Sequence, residues 1–228
     1  MPEAAPHWAG QAPLGAARWE LVRITRRGVG MTLAAALFWL AMAGVSAFAG
    51  LSPGALGAFF VVGVALVYPG GWALNRAFGG DLTARGSAFR GLVGAITAGQ
   101  LLGAPLVIAL LLRDPALVAF ALAAMLGAHF LPYGWLYRAP GYHALGLASL
   151  AVAAPLQAVA GTHANVAIAL AMAMLYLAAT LHVHHQNRRE GLPPRAGAGA
   201  MSAFAARPRP HGPGVARHGF RRRARRAC

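Results

Sequence analysis

The sequence contains no lysine, a single cysteine (Cys228) and only five acids, Glu3, Glu20, Asp81, Asp114 and Glu190, in 228 residues. One thiol excludes a disulfide scaffold, an iron–sulfur cluster or a cysteine-based zinc site within the chain. Charged residues make up 11%, where an ordinary soluble domain carries about a quarter, while 58% of residues are apolar and the mean hydropathy is +0.54. A water-soluble globule is thereby excluded. The few acids all lie outside the long apolar blocks, so neither intramembrane proteolysis by a carboxylate pair nor proton pumping through a buried acid is expected. No glycine-rich phosphate loop follows a strand and no Ser/His/Asp set assembles. No enzyme activity, catalytic residue, metal or cofactor is therefore expected.

What is abundant is uncharged sequence. Residues 28–75, 91–112, 115–137 and 139–187 contain no Asp, Glu or Arg. An ionised side chain at the bilayer centre costs at least a few kcal/mol, and a helix needs about 20 apolar residues to cross. The two middle blocks therefore hold one span each and the outer two hold two. The first long block breaks at Leu51-Ser52-Pro53-Gly54, a stop followed by an N-cap serine and a first-turn proline. The last breaks at Gly161-Thr162-His163-Ala164-Asn165. The expected fold is an all-α integral membrane protein with six transmembrane helices at about 29–50, 54–74, 91–112, 115–137, 142–161 and 165–185.

All twenty basic residues are arginine, and their placement tests the count. With the N terminus in the cytoplasm, nineteen fall on the inner side and only Arg113 lies outside, as the positive-inside rule requires. Five or seven spans would move whole clusters outside. The expected localisation is a bacterial cytoplasmic (inner) membrane, multi-pass, with both termini cytoplasmic. The expected division is a basic N-terminal segment 1–27, a membrane domain 28–186 and a disordered Arg/Pro/Gly-rich tail 187–228. The tail could meet anionic lipid; nucleic acid is not an expected partner. Ala47-Phe48-Ala49 resembles a signal-peptidase site, but 27 residues before the apolar run is long for a signal peptide, so cleavage is not the expectation.

An offset of 63 residues superposes Arg27-Gly28 on Arg90-Gly91, and Pro69-Gly70-Gly71-Trp72 on Pro132-Tyr133-Gly134-Trp135. The expectation is a helical hairpin used at least twice in parallel orientation; the competing reading is coincidence in a chain with 29 glycines and 15 prolines. Proline removes a backbone donor and crowds the preceding turn, so Pro69 with Gly71 and Pro132 with Gly134 should kink the second and fourth helices near their inner ends. Trp72, Trp135 and Tyr137 would then form an aromatic belt with basic anchors.

Polar groups inside a bilayer are functional candidates by default. Tyr68, His129 and Tyr133 lie at similar depth, and the sharper reading is an inner vestibule between the kinked helices, lined by these three, that binds or moves a small solute. Discontinuous helices in matching repeats mark transport sites. The simpler reading is that His129 hydrogen-bonds a carbonyl freed by Pro132. Gln100, between Gly99 and Gly103, reads as interhelical glue or a ligand group; that small-residue face suits packing within the bundle, a homo-oligomer or a membrane partner. His182, His184 and His185 read as a solvated cluster at a helix end. Asp114 reads as an N-cap before Pro115.

The segment Gly127-Ala128-His129-Phe130-Leu131-Pro132-Tyr133-Gly134-Trp135-Leu136-Tyr137-Arg138 resembles the signature of a bacterial family of small polytopic integral membrane proteins of unknown function. The resemblance runs from about Glu20 to the end of the sixth span and includes Tyr68-Pro69 and the turn at Pro53. It implies a shared membrane fold with any common function near 127–138, and it carries no catalytic or ligand role. The leading expectation is a small-solute transporter or binder; the alternative is a non-transporting accessory or lipid-interacting protein.

Overall fold

The computed structural model describes residues 14–192. Six helices are long and apolar enough to cross a membrane, and among the described residues there is no strand. The Arg-rich tail beyond Leu192, with Cys228, and the first 13 residues lie outside the described region.

A helix in the N-terminal basic segment, α1 (Leu14–Thr25), leads into the bundle. Span 1 is α2 (Val29–Phe48) and span 2 is α3 (Pro53–Ala77). Span 3 consists of α4 (Arg90–Gly99), a tighter turn at Gln100–Gly103, and α5 (Ala104–Arg113). Span 4 is α6 (Val118–Leu136), entered through a short turn at Pro115–Leu117. Spans 5 and 6 are α7 (Pro140–Val159) and α8 (Ala164–Arg189). Ser52 caps span 2 by accepting from the Ala55 N–H, with Pro53 at the first helical position. Asp114 does occupy the position before Pro115, but its side chain makes no capping bond.

Span 1 packs along both span 2 and span 6, span 6 along span 5, and span 5 along span 4. Span 3 touches spans 2 and 4 only sparsely and completes the circuit. The core has two aromatic centres: Phe38, Trp39 and Phe60, with centroids 5.0 to 6.3 Å apart, and Phe130 with Tyr142 and Tyr176 at 5.1 and 5.7 Å.

Glycine sets the closest helix crossings, because lipid tails supply no hydrophobic drive between helices and association depends on close packing. A Cβ at Gly30 would overlap the Asn75 backbone, and one at Gly146 would lie 2.9 Å from the Gly127 carbonyl oxygen. In both Pro-x-Gly-Trp motifs the helix runs on through the proline. The motif glycine is a contact point in each: Gly71 abuts Met31 of span 1, and Gly134 abuts the His143 ring of span 5.

Candidate functional site

Two polar constructions stand out, one at the arginine-rich end of the bundle and one inside the membrane layer. The first is a clasp around Arg27. Arg26, Arg27 and Gly28 all have positive φ, at 53, 56 and 66°. For non-glycine residues this costs about 1–2 kcal/mol each, so surrounding contacts must impose it. They do: Asn187 donates to the Arg26 carbonyl (2.9 Å) and the Tyr142 hydroxyl to the Arg27 carbonyl (2.6 Å). The Arg27 side chain is fully buried and donates to the Tyr137 carbonyl (3.0 Å), to Asn187 Oδ1 (2.7 Å) and to the Glu190 carboxylate. Beside it, Asn75 donates to the Thr25 carbonyl (3.1 Å) and accepts from the Gly30 N–H (3.1 Å). The start of span 1 is thereby tied to the ends of spans 2, 4 and 6, which places both ends of the described chain at the same end of the bundle.

Cation–π contacts ring this clasp. Arg18 lies 4.5 Å from the Trp135 ring and also donates to that residue's carbonyl. Arg76 lies 4.6 Å from Trp72, and Arg138 4.9 Å from Trp19. In the loop after span 2, Asp81 accepts from the Thr83 N–H (2.9 Å) and hydroxyl (2.6 Å). Partial burial pushes the Asp81 carboxyl pKa up, but the Thr83 hydrogen bonds and the nearby Arg85 outweigh this and hold it below the ordinary aspartate value.

The second construction is an open groove of about 270 Å³ between spans 3 and 4. Gln100 and His129 supply its polar groups; Ile96, Gly99, Gly103, Met125 and Pro132 supply the rest. Span 3 is held at both ends, and between them Gly103 is pressed against Met125 of span 4. At the arginine-rich end the Thr97 and Tyr133 hydroxyls lie 2.9 Å apart, and both donate to the Val93 carbonyl. At the other end Leu111 packs against Gly57 of span 2. Between these anchors the α-helix gives way to the Gln100–Gly103 turn, just before Pro105, which cannot donate a backbone hydrogen bond. A mid-helix 3₁₀ stretch of this kind often marks a hinge.

The candidate residues from the sequence are distributed as follows. Gln100 and His129 face the groove; His129 makes edge contacts with Phe130 and Tyr133, at 5.9 and 5.1 Å, and among the described residues none hydrogen-bonds its ring. Tyr133 does not line the groove: it is buried, with its hydroxyl 2.9 Å from that of Thr97, and stacks on Tyr137 at 5.0 Å. Tyr68 is half exposed on span 2 and does not line the groove. Gly103 is occupied within the chain, pressed against Met125, whereas Gly99 has open space where a Cβ would stand. The three terminal histidines diverge: His182 packs over Gly141, His184 meets the Phe78 ring and His185 is exposed.

Sequence reasoning singled out neither the break in span 3 nor the clasp. A signal for the break was available in Gly99, Gly103 and Pro105 lying within seven residues. For the clasp there was none, since its partners are separated by 110 to 163 positions.

No curated protein and no solved structure matches the chain. A family of unknown function, DUF7010, matches residues 14–186, which includes spans 1 to 5, span 6 but for its last three residues, Arg27 and both walls of the groove. The chain is a polytopic membrane protein that belongs to the DUF7010 family, whose specific function is unknown.

Proposed function

We propose that the protein binds a small amphiphile in the groove between spans 3 and 4, taken up sideways from the lipid phase, and that movement of span 3 about its break accompanies loading or transfer across the membrane. The observation that carries this reading is that the helix tightens from α to 3₁₀ at Gln100–Gly103, directly where the groove lies. A short 3₁₀ stretch inside a helix often marks a functional hinge, and here it lies on the wall of a cavity. An apolar trough with one amide and one imidazole suits an apolar body carrying a hydrogen-bonding oxygen or nitrogen. In this reading the arginine-rich end faces the cytoplasm of a bacterial cell, both termini are cytoplasmic, the clasp closes that end to water, and the two Pro-x-Gly-Trp hairpins descend from one repeated unit.

The test places a cysteine at position 129 in a Cys228→Ser background, in vesicles. A lipid-soluble N-alkylmaleimide is expected to label it, and Gly99→Leu, which would project into the groove, is expected to suppress the labelling. Failure of both lipid-soluble and membrane-impermeant maleimides to react in a folded protein would overturn the groove. Labelling by the impermeant reagent alone would replace the lipid-phase ligand with a water-soluble one.

A second reading is favoured by one observation. Span 3 buries only 6% of its most apolar 18 residues, with Gly91, Gly94, Ala95 and Ala98 exposed. A partner helix or a second copy lying on that face would make the protein an accessory subunit, and Gly94→Leu would disperse the complex while His129→Ala would be silent.

A further inference from the structure

The two polar side chains on the groove walls are left unpaired by the protein. Gln100 and His129 are partly buried on facing spans, and among the described residues neither the amide nor the imidazole has a hydrogen-bond partner. Gln100 lies ten residues from Arg90 and thirteen from Arg113, about 15 and 20 Å along the helix. His129 lies nine residues from Arg138, about 14 Å. Both therefore stand within the hydrocarbon layer, where bulk water does not reach and an unpaired polar group is costly.

A third polar group comes from the backbone. Pro132 lines the groove and has no N–H to give the Ala128 carbonyl four residues earlier. Span 3 contains the same defect at Pro105 and absorbs it by tightening: the Ala104 N–H donates to the Leu101 carbonyl, which Pro105 cannot serve. Span 4 stays α-helical through Pro132, and the neighbouring His129 ring makes edge contacts with Phe130 and Tyr133 rather than a hydrogen bond to the freed carbonyl. Ala128 and Pro132 are both exposed, and residues four apart share a helix face, so this acceptor lies on the side where the groove opens.

None of the residues lining the groove is an acid or an arginine. Neither an ammonium nor a phosphate would find a counter-charge there, and burying an unpaired charge is far more costly than burying a neutral polar group. An uncharged imidazole offers one donor and one acceptor, the Gln100 amide offers both, and the Ala128 carbonyl only accepts. A hydrocarbon satisfies none of them. A ketone or ester only accepts, so it leaves the carbonyl without a donor, whereas a hydroxyl donates and accepts at one atom. We infer that the groove is a site for a lipid alcohol, an uncharged hydroxyl on an apolar body, with the hydroxyl among Gln100, His129 and the Ala128 carbonyl and the body along Ile96 and Met125. The inference rests on the reading of the groove as an amphiphile site and names the polar group which that site selects.

The experiment uses the full chain carrying Gly99→Cys and Cys228→Ser in phosphatidylcholine vesicles. Position 99 lines the groove with open space for a side chain, so a cysteine there leaves Gln100 and His129 in place; Ile96→Cys is the second reporter if Gly99→Cys impairs folding. The rate of reaction with a lipid-soluble N-alkylmaleimide is measured with 1-dodecanol, 2-dodecanone or dodecane added to the bilayer. 1-Dodecanol is expected to halve the rate at about one-fifth of the mole fraction that 2-dodecanone requires, with dodecane weaker still. Gln100→Leu and His129→Phe should each bring the alcohol down to the level of the ketone, while Gln157→Leu, outside the groove, should leave the preference intact. Equal protection by all three compounds would overturn the hydroxyl assignment, as would stronger protection by the ketone. A cysteine that reacts equally fast with and without the alcohol would overturn the inference and leave the groove standing. A cysteine inert to lipid-soluble and membrane-impermeant maleimides alike, in a folded protein, would overturn the groove itself and the inference with it.

Discussion

Replacing Arg27 by methionine keeps an unbranched apolar stem and the backbone carbonyl that accepts from Tyr142, and removes only the guanidinium. Three acceptors then lose their donor: the Tyr137 carbonyl, Asn187 Oδ1 and the Glu190 carboxylate. Removing one member of a buried ion pair typically costs about 3–5 kcal/mol, because the other is left uncompensated. Here the Glu190 side chain is 28% exposed while Arg27 is completely buried. Water can therefore reach the abandoned carboxylate, and the expected loss lies at the lower end, about 3 kcal/mol. Glu190→Gln leaves an acceptor in place but strips the counter-charge from a completely buried guanidinium, so by the same rule it should cost at least as much, about 3 kcal/mol. The double variant has neither orphan charge, so the two losses should fall short of additivity by about 1 kcal/mol or more. Unfolding in mixed micelles by titration with sodium dodecyl sulfate, followed by tryptophan fluorescence, measures all four corners of this cycle; the fully buried Trp39 on span 1 supplies a reporter. Additivity within about 0.5 kcal/mol would refute the clasp as a coupled unit.

Three further outcomes are expected. Gly30→Ala puts a methyl group into the Asn75 backbone, which cannot rotate away as a side chain could, and should cost about 1–3 kcal/mol in the same titration; Gly91→Ala, with open space around it, should be neutral or slightly stabilising. Gly127→Leu should disrupt the span 4 to span 5 crossing, because even a Cβ there would lie 2.5 Å from the Ser149 Cβ, and native yield should collapse, whereas Gly94→Leu should fold normally. Asp81 has a folded-state pKa below its unfolded value, so its contribution is complete above about pH 5 and lost as pH falls through about 4 and below. Hydrogen exchange at the Thr83 amide should accelerate over that range relative to the intrinsic rate in wild type, and should lack that pH-dependent step in Asp81→Asn.

The residues differ in how far local sequence could reveal their roles. Ser52-Pro53 is a helix start wherever it occurs, since the cap and the missing proline donor act within one turn, and the structure places span 2 there. Gln100 and His129 were legible as candidates because a polar side chain among apolar ones is conspicuous, but their meeting across one groove depends on which faces of spans 3 and 4 turn toward each other. Gly103 was read with Gly99 as one stripe, yet Met125 fills the space over Gly103 and leaves Gly99 open, a difference set by a residue 22 positions away. Arg27 was one arginine among four in its cluster, counted for its charge and not for its position. Only the arrival of Asn187 and Glu190 from the far end of the chain makes it a buried hub.

By itself the sequence determined that this is a membrane protein, how many times it can cross and at which end its arginines gather, because hydrophobic length and charge are local quantities that the bilayer reads along the chain. Tertiary structure alone decided that spans 1 and 6 are clasped through Arg27, that span 3 tightens at mid-length and touches its neighbours sparsely, and that a groove opens beside it. Within lipid nothing drives one apolar helix face toward another in preference. The pairing is chosen instead by close-packed glycines and by polar groups that must find partners, and those partners lie on other helices.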